Sequence, residues 1–185
     1  RLQLNMSGKL RLFELTNDAE RTAAFDEIYW WLRKLPEAEA REVVAGLAQE
    51  AGFDPFQKGR DLLMTWDEIR DIAADPLVTI GAHTVGHYAL AKLDAEQARK
   101  EMTESVARVT AEMGKPCRHF SYPYGCASSA GEREFEMAQE LGLATAVTTR
   151  KGLLHSEHQD SLTALPRLSL NGDFQDQRYV KVLLS

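Results

Sequence analysis

The apolar pattern of this chain predicts an α/β fold of about four parallel strands with flanking helices. Three observations carry that expectation. Segments with helical apolar spacing alternate with short β-branched runs, and strands separated by helices pair in parallel. Capping patterns stand at the head of several helical segments, and Gly or Pro closes them. The strand-like runs end in small or turn-forming residues, as in Leu77-Val78-Thr79-Ile80-Gly81-Ala82 and Phe120-Ser121-Tyr122-Pro123-Tyr124-Gly125. A chain of 185 residues, 44% hydrophobic and 27% charged, can build one domain with a sizeable core.

In chain order, Asn17-Asp18 precedes a helix expected to reach about Lys34, with Phe25, Ile28, Tyr29 and Leu32 at helical spacing. Pro36 suits the first turn of a second helix, which carries Val43, Val44 and Leu47 and stops near Gly52. Asp54-Pro55 and Gln57-Lys58-Gly59-Arg60 read as a polar connection. Thr65-Trp66-Asp67-Glu68 is a capping-box pattern, and its helix ends before Pro76. After the strand at 77–80, Asp94 caps a longer helix to about Met113, closed by Gly114 and Pro116. Ser129 and Glu132 read as a further capping box for a helix through Leu141, stopped by Gly142. Strands near 145–149 and 164–170 follow, and Asp173 is placed to cap a last helix. No internal repeat or low-complexity segment is visible.

Charge and composition exclude several functions. A net charge of −6, with Lys and Arg scattered among acidic residues, argues against nucleic acid as a partner. No apolar run approaches the roughly 18 residues that span a bilayer. The start, Arg1-Leu2-Gln3-Leu4, lacks signal-peptide architecture, which does not exclude secretion if the natural N-terminus lies upstream. Cys117 and Cys126 flank one short extended run, too far apart for a disulfide. Free, buried thiols favour a reducing, cytoplasmic compartment.

The chemistry concentrates in His83-Thr84-Val85-Gly86-His87. A strand that ends in small residues and delivers two imidazoles to one rim fits a metal site built on loops above a sheet. Helical geometry would also put both rings on one face. A zinc protease would carry Glu after the first His as its general base; Thr84 rules that out. The plain alternative is two polar loop residues with unrelated partners.

Together, Gly81-Ala82-His83-Thr84-Val85-Gly86-His87 and Phe120-Ser121-Tyr122-Pro123-Tyr124-Gly125 resemble the polysaccharide deacetylases, carbohydrate esterase family four. The later segments 144–149 and 164–172 resemble that family's last strands, so the likeness covers roughly residues 65–172. It implies a distorted (β/α) barrel, here partial: residues 1–64 a helical insertion, 65–185 the C-terminal part, one domain in all with its first strands missing. It also implies a metal-dependent hydrolase that removes acetyl groups from N-acetylated polysaccharides or oligosaccharides.

The resemblance assigns roles residue by residue. His83 and His87 become metal ligands, for Zn or else Co or Ni. Tyr124 takes the place whose backbone N–H steadies the acetate oxyanion. Tyr122 and Tyr124 become the substrate contacts, with packing the rival role for Tyr122. Arg167 is a candidate for an electrostatic task, a surface ion pair being the alternative. Thr84 would tie down the loop by hydrogen bonding, and Gly86 would let it turn. Three departures stand beside these matches. No Asp-Asp pair, the family's base and third ligand, occurs anywhere in the chain. Ser121 replaces an Arg, and Asn171 stands where the family keeps a catalytic His; an amide cannot donate a proton usefully, though it can bond a sugar.

The fragment alone is therefore expected to be inactive and to cover its open barrel edges with a second copy or with the missing N-terminal part. A catalytically dead carbohydrate-binding or interaction module is the rival from another class, and an amidohydrolase of small acyl compounds is a third. Outside the motifs, His119 reads as structural. His155 and His158 form a second cluster, better read as a solvated loop than as a metal site. Tyr29-Trp30-Trp31 reads as core or interface, with a sugar-stacking platform as the sharper option.

Overall fold

Two short alternating runs open the chain and pair as an antiparallel hairpin, β1 (Leu2–Met6) with β2 (Lys9–Phe13), in register from Leu2 opposite Phe13 to Met6 opposite Lys9. Ser7 and Gly8 both take positive φ, 53° and 83°, the backbone that a two-residue hairpin turn requires. This hairpin corrects the expectation of a wholly helical start. Its signal was present: Leu2, Leu4 and Met6 alternate with polar residues up to a Ser-Gly pair. The computed structural model describes residues 1–170 and 176–183, and the chain divides into two compact units, Arg1–Gly59 and Arg60–Ser185.

In the first unit, α1 (Asp18–Leu32) starts where expected, with Asn17 Oδ1 accepting from Glu20 N at 2.9 Å. Its apolar spacing does not build a core. Ala24 is the one buried residue of α1, whereas Phe25 is 64% and Trp30 59% exposed. The Phe25, Tyr29 and Trp30 rings pack on one another instead, and Trp31 Nε1 donates to Ser7 Oγ at 3.0 Å. Helix α2 (Glu37–Glu50) follows Pro36 and buries no residue. The expected polar connection is in fact helix α3 (Pro55–Leu62). Asp54 Oδ1 accepts from Phe56 N and Gln57 N at 2.8 and 3.1 Å, and Pro55 takes the first turn, where its missing N–H costs nothing.

In the second unit, the capping box of α4 (Trp66–Ile72) forms as expected, with Thr65 N donating to Glu68 Oε2 at 2.7 Å. Asp94 caps α5 (Ala95–Met113), which ends at a left-handed Gly114. Helix α6 (Glu132–Glu140) does not use the expected Ser129–Glu132 box. Ser129 N and Ala130 N bond back to Cys126 O, so a turn occupies that segment. The helix starts after Gly131, whose N–H donates to Glu134 Oε2 at 2.8 Å. Asp173 lies outside the described residues; α7 (Gln177–Leu183) follows. Neither cysteine forms a disulfide, and Cys126 is exposed rather than buried.

The sheet is parallel, pairing β3 (His119–Ser121) with β4 (Thr145–Val147). Parallel bridges at Ala82–Phe120 and Val147–Leu165 extend it on both sides. Four chain segments thus lie side by side in sequence order, although the outer two form single bridges rather than strands. Val78 N is bound back to Asp75 O, and Pro166 has no N–H to offer a ladder, which shortens both.

Period-two alternation sorts the two faces. Ala82, Phe120 and Ala146 are buried in a core that includes Ala98 and Met102 of α5 with Phe135 and Ala138 of α6. Met102 is fully buried, worth roughly 1.5–3 kcal/mol of transfer energy. The opposite face carries Gly81, His83, His119, Ser121, Thr145 and Val147 around a cavity of about 440 Å³.

Candidate active site

The chain leaves the sheet at Ala82 and turns into the His83–His87 loop. Thr84 and His87 both take left-handed φ, 65° and 56°, a conformation unusual for residues with a Cβ and frequent at functional sites. The turn brings the two rings together, with centroids 4.8 Å apart and planes at 75°. His83 Nδ1–H donates to the Ser121 carbonyl at 2.5 Å. That bond fixes the tautomer and leaves the Nε2 lone pair free. Burial lowers the pKa of His83; the Ser121 bond opposes this, while the charges of His87 and Arg167 act with burial. The shift favours the neutral imidazole, the form that a metal ligand takes.

Two expected roles within the loop change. Thr84 Oγ1 is buried without a hydrogen-bond partner, so it does not tie the loop. Gly86 does not take a left-handed φ; a Cβ there would lie 2.3 Å from the Tyr88 ring, which would have to shift. The loop is tied instead by Glu101 of α5, whose Oε2 accepts from Val85 N at 2.9 Å and Gly86 N at 2.7 Å. Sequence reading missed Glu101. The available signal was a carboxylate flanking the buried stripe Ala98, Met102, Ser105 and Val109.

Tyr124 sits at the centre of a three-residue turn closed by Gly125 N–H to Pro123 O at 2.7 Å, with φ of 61°. Its ring meets His87 edge-on at 5.0 Å. Thr149 Oγ1 holds the Tyr124 carbonyl at 2.5 Å, and Gly125 passes so close to Thr149 N that a Cβ would lie 2.5 Å away. Arg167 Nε donates to the Thr148 carbonyl at 2.7 Å, and its charge reaches His83. The structure therefore brings His83, His87, Tyr124 and Arg167 to one end of the sheet.

Tyr122 does not join them. It is wholly buried, its hydroxyl donates to the Thr163 carbonyl at 2.8 Å, and burial pushes its pKa up. The expected substrate contact is corrected to a core position, because the strand alternation that exposes Ser121 turns Tyr122 inward. Asn171 lies outside the described residues. His119 bonds Thr145 Oγ1 through Nδ1 at 2.8 Å.

The donor set fits part of a metal site. Two imidazoles, one with a backbone carbonyl fixing its tautomer, suit a divalent ion. Among the described residues no group of three or more His, Cys, Asp or Glu converges, so His83 and His87 would supply two ligands.

A parallel α/β layer thus carries a His-Thr-x-x-His loop and a Pro-Tyr-Gly turn at one end. Residues 15–146 match the polysaccharide deacetylase family, and the chain belongs to it. The match reaches well upstream of Thr65, so it takes in helices outside the two motif-bearing segments. No curated protein matches the chain. Among solved structures, its fold is similar to the Streptococcus pyogenes deacetylase PplD in complex with acetate, at 18% identity and TM-score 0.58, over 65% of this chain and 50% of that one. A polysaccharide deacetylase from Bacillus cereus aligns at 18% identity and TM-score 0.55, over 65% of this chain and 36% of the other. A de-N-acetylase from Aggregatibacter actinomycetemcomitans gives 16% and 0.55, over 67% and 54%. The chain spans about half the length of these structures, or less. At such identities the likeness is one of fold.

Proposed function

We propose that this chain is the histidine-bearing part of a metal-dependent hydrolase that removes acetyl groups from N-acetylated polysaccharides or oligosaccharides. The observation that carries the reading is the His83 Nδ1–Ser121 bond, which frees Nε2 beside the His87 ring. Bound there, a divalent cation would polarise the acetyl carbonyl and lower the pKa of a water. His83 and His87 would hold it, Zn being the first choice and Co or Ni the alternatives. Tyr124, fixed by its turn and by Thr149, is assigned to steady the acetate oxyanion and to line the substrate path. Arg167 adds positive charge near His83, and Asn171 is assigned a hydrogen bond to the glycan.

The sheet is read as one arc of a distorted barrel whose interior face is the one bearing His83, His119 and Ser121. The chain carries no Asp-Asp pair, so the 185-residue piece is assigned no turnover of its own. Acetate release from N-acetylglucosamine oligomers by the metal-supplemented full-length protein, abolished by His83→Ala, tests the enzyme reading. No release with any divalent metal or glycan would overturn it. The rival, a catalytically dead glycan-binding module, is favoured by Ser121 where an Arg is usual; binding without turnover would establish it. Self-association through the open sheet edges is also proposed. Light scattering showing a stable 20.8 kDa monomer at micromolar concentration would refute that.

A further inference from the structure

The two imidazoles meet across a stretch of backbone that holds an unfavourable shape. Thr84 and His87 are both left-handed, and the Thr84 hydroxyl contributes no bond to hold them so. The two amides between them, Val85 N and Gly86 N, converge on a single oxygen, Glu101 Oε2, at 2.9 and 2.7 Å. Successive N–H groups converging on one carboxylate oxygen form an anion nest, and such charge-assisted bonds are stronger than neutral ones. Glu101 is itself well placed to act as a fixed point. It lies on α5 between Ala98 and Met102, both fully buried.

We propose that Glu101 is the positioning residue of the histidine loop. Its carboxylate clamps Val85 and Gly86, holds the left-handed turns on either side, and so sets the separation of His83 and His87 for a divalent cation. The consequence for the cation rests on the metal-site reading above; the clamp itself does not.

The test compares wild type, Glu101→Ala, Glu101→Gln and His83→Ala in the full-length protein. Amide hydrogen exchange at Val85 and Gly86 reads the clamp, and titration with Co²⁺ reads its consequence. Glu101→Ala should raise exchange at both amides at least tenfold and weaken Co²⁺ binding about 10–100-fold, the usual range for residues that orient metal ligands. Glu101→Gln keeps an acceptor oxygen and should recover most of both. Unchanged exchange in Glu101→Ala would overturn the clamp. Raised exchange with unchanged Co²⁺ affinity would overturn the positioning role. Equal Co²⁺ affinity in wild type and His83→Ala would strike the metal reading instead, and loss of Val85 and Gly86 protection would then still support the clamp. Should Glu101→Ala fail to fold, Glu101→Asp, one methylene shorter, gives the same comparison.

Discussion

Two histidine pairs, His83/His87 and His155/His158, look alike on paper and differ in one hydrogen. His83 Nδ1–H donates to the Ser121 carbonyl, so the lone pair sits on Nε2. His158 Nδ1 accepts from the His155 backbone N–H at 3.0 Å, which spends its lone pair and puts the proton on Nε2. The same Nδ1 lies 3.3 Å from the His155 carbonyl, a longer contact that it cannot satisfy while accepting. The rings of the second pair stack at 6.0 Å and 27°, against 4.8 Å and 75° in the first. A histidine that caps its own turn is unavailable to a metal when neutral, whereas one bonded across the fold is prepared for it.

The strongest way to break this contrast is deletion. His83→Ala or His87→Ala in the full-length protein should abolish tight divalent-metal binding, while His155→Ala and His158→Ala should leave it within about twofold. Elemental analysis after dialysis checks it, and equal metal content in all four variants would sink the distinction. Next, the purified 185-residue chain should release no acetate above its own His83→Ala control, because it carries no Asp-Asp pair and, among the described residues, no third ligand joins His83 and His87. Measurable release from the unmodified chain would defeat that expectation.

Tyr122 separates the core from the site. Tyr122→Phe leaves the buried Thr163 carbonyl without its donor and should cost about 1–3 kcal/mol in urea unfolding. Metal affinity should not change; a loss there would restore Tyr122 to the site. The capping box is the smaller structural test. Thr65→Ala removes the side-chain acceptor for Glu68 N and should cost about 1 kcal/mol, with metal binding intact.

The subtlest difference is in protonation. With no metal bound, His83 should titrate below the usual histidine value, followed by its ring resonances in NMR. Its folded pKa is the lower one, so between the folded and unfolded values the unfolded chain binds more protons. Stability therefore rises with pH through that window, and falls as acid is added past the unfolded value. A His83 pKa at or above the usual value would contradict the lowered pKa expected for this ring.

Much of the fold was legible because its signals are local. Asn17, Thr65 and Asp94 cap where their side chains suggest, and Gly114 and Gly142 end helices with left-handed φ. Where local signals competed, reading failed. Asp54-Pro55 starts a helix rather than a loop, and the Cys126 turn displaces the cap expected at Ser129. On α1, helical spacing suggested an apolar face through Phe25, yet Phe25 is exposed, because spacing fixes a side and not what covers it.

The sequence by itself determined the His-Thr-x-x-His spacing and the parallel pairing of successive sheet segments. Tertiary structure decided which imidazole nitrogen carries its proton, that Tyr122 points inward, and that Glu101 rather than Thr84 holds the loop. The reason is physical. The partners in those decisions are backbone groups, the carbonyls of Ser121 and Thr163 and the amides of Val85 and Gly86. Every residue type but proline offers the same N–H and C=O, so no letter in the sequence marks which of them will be met.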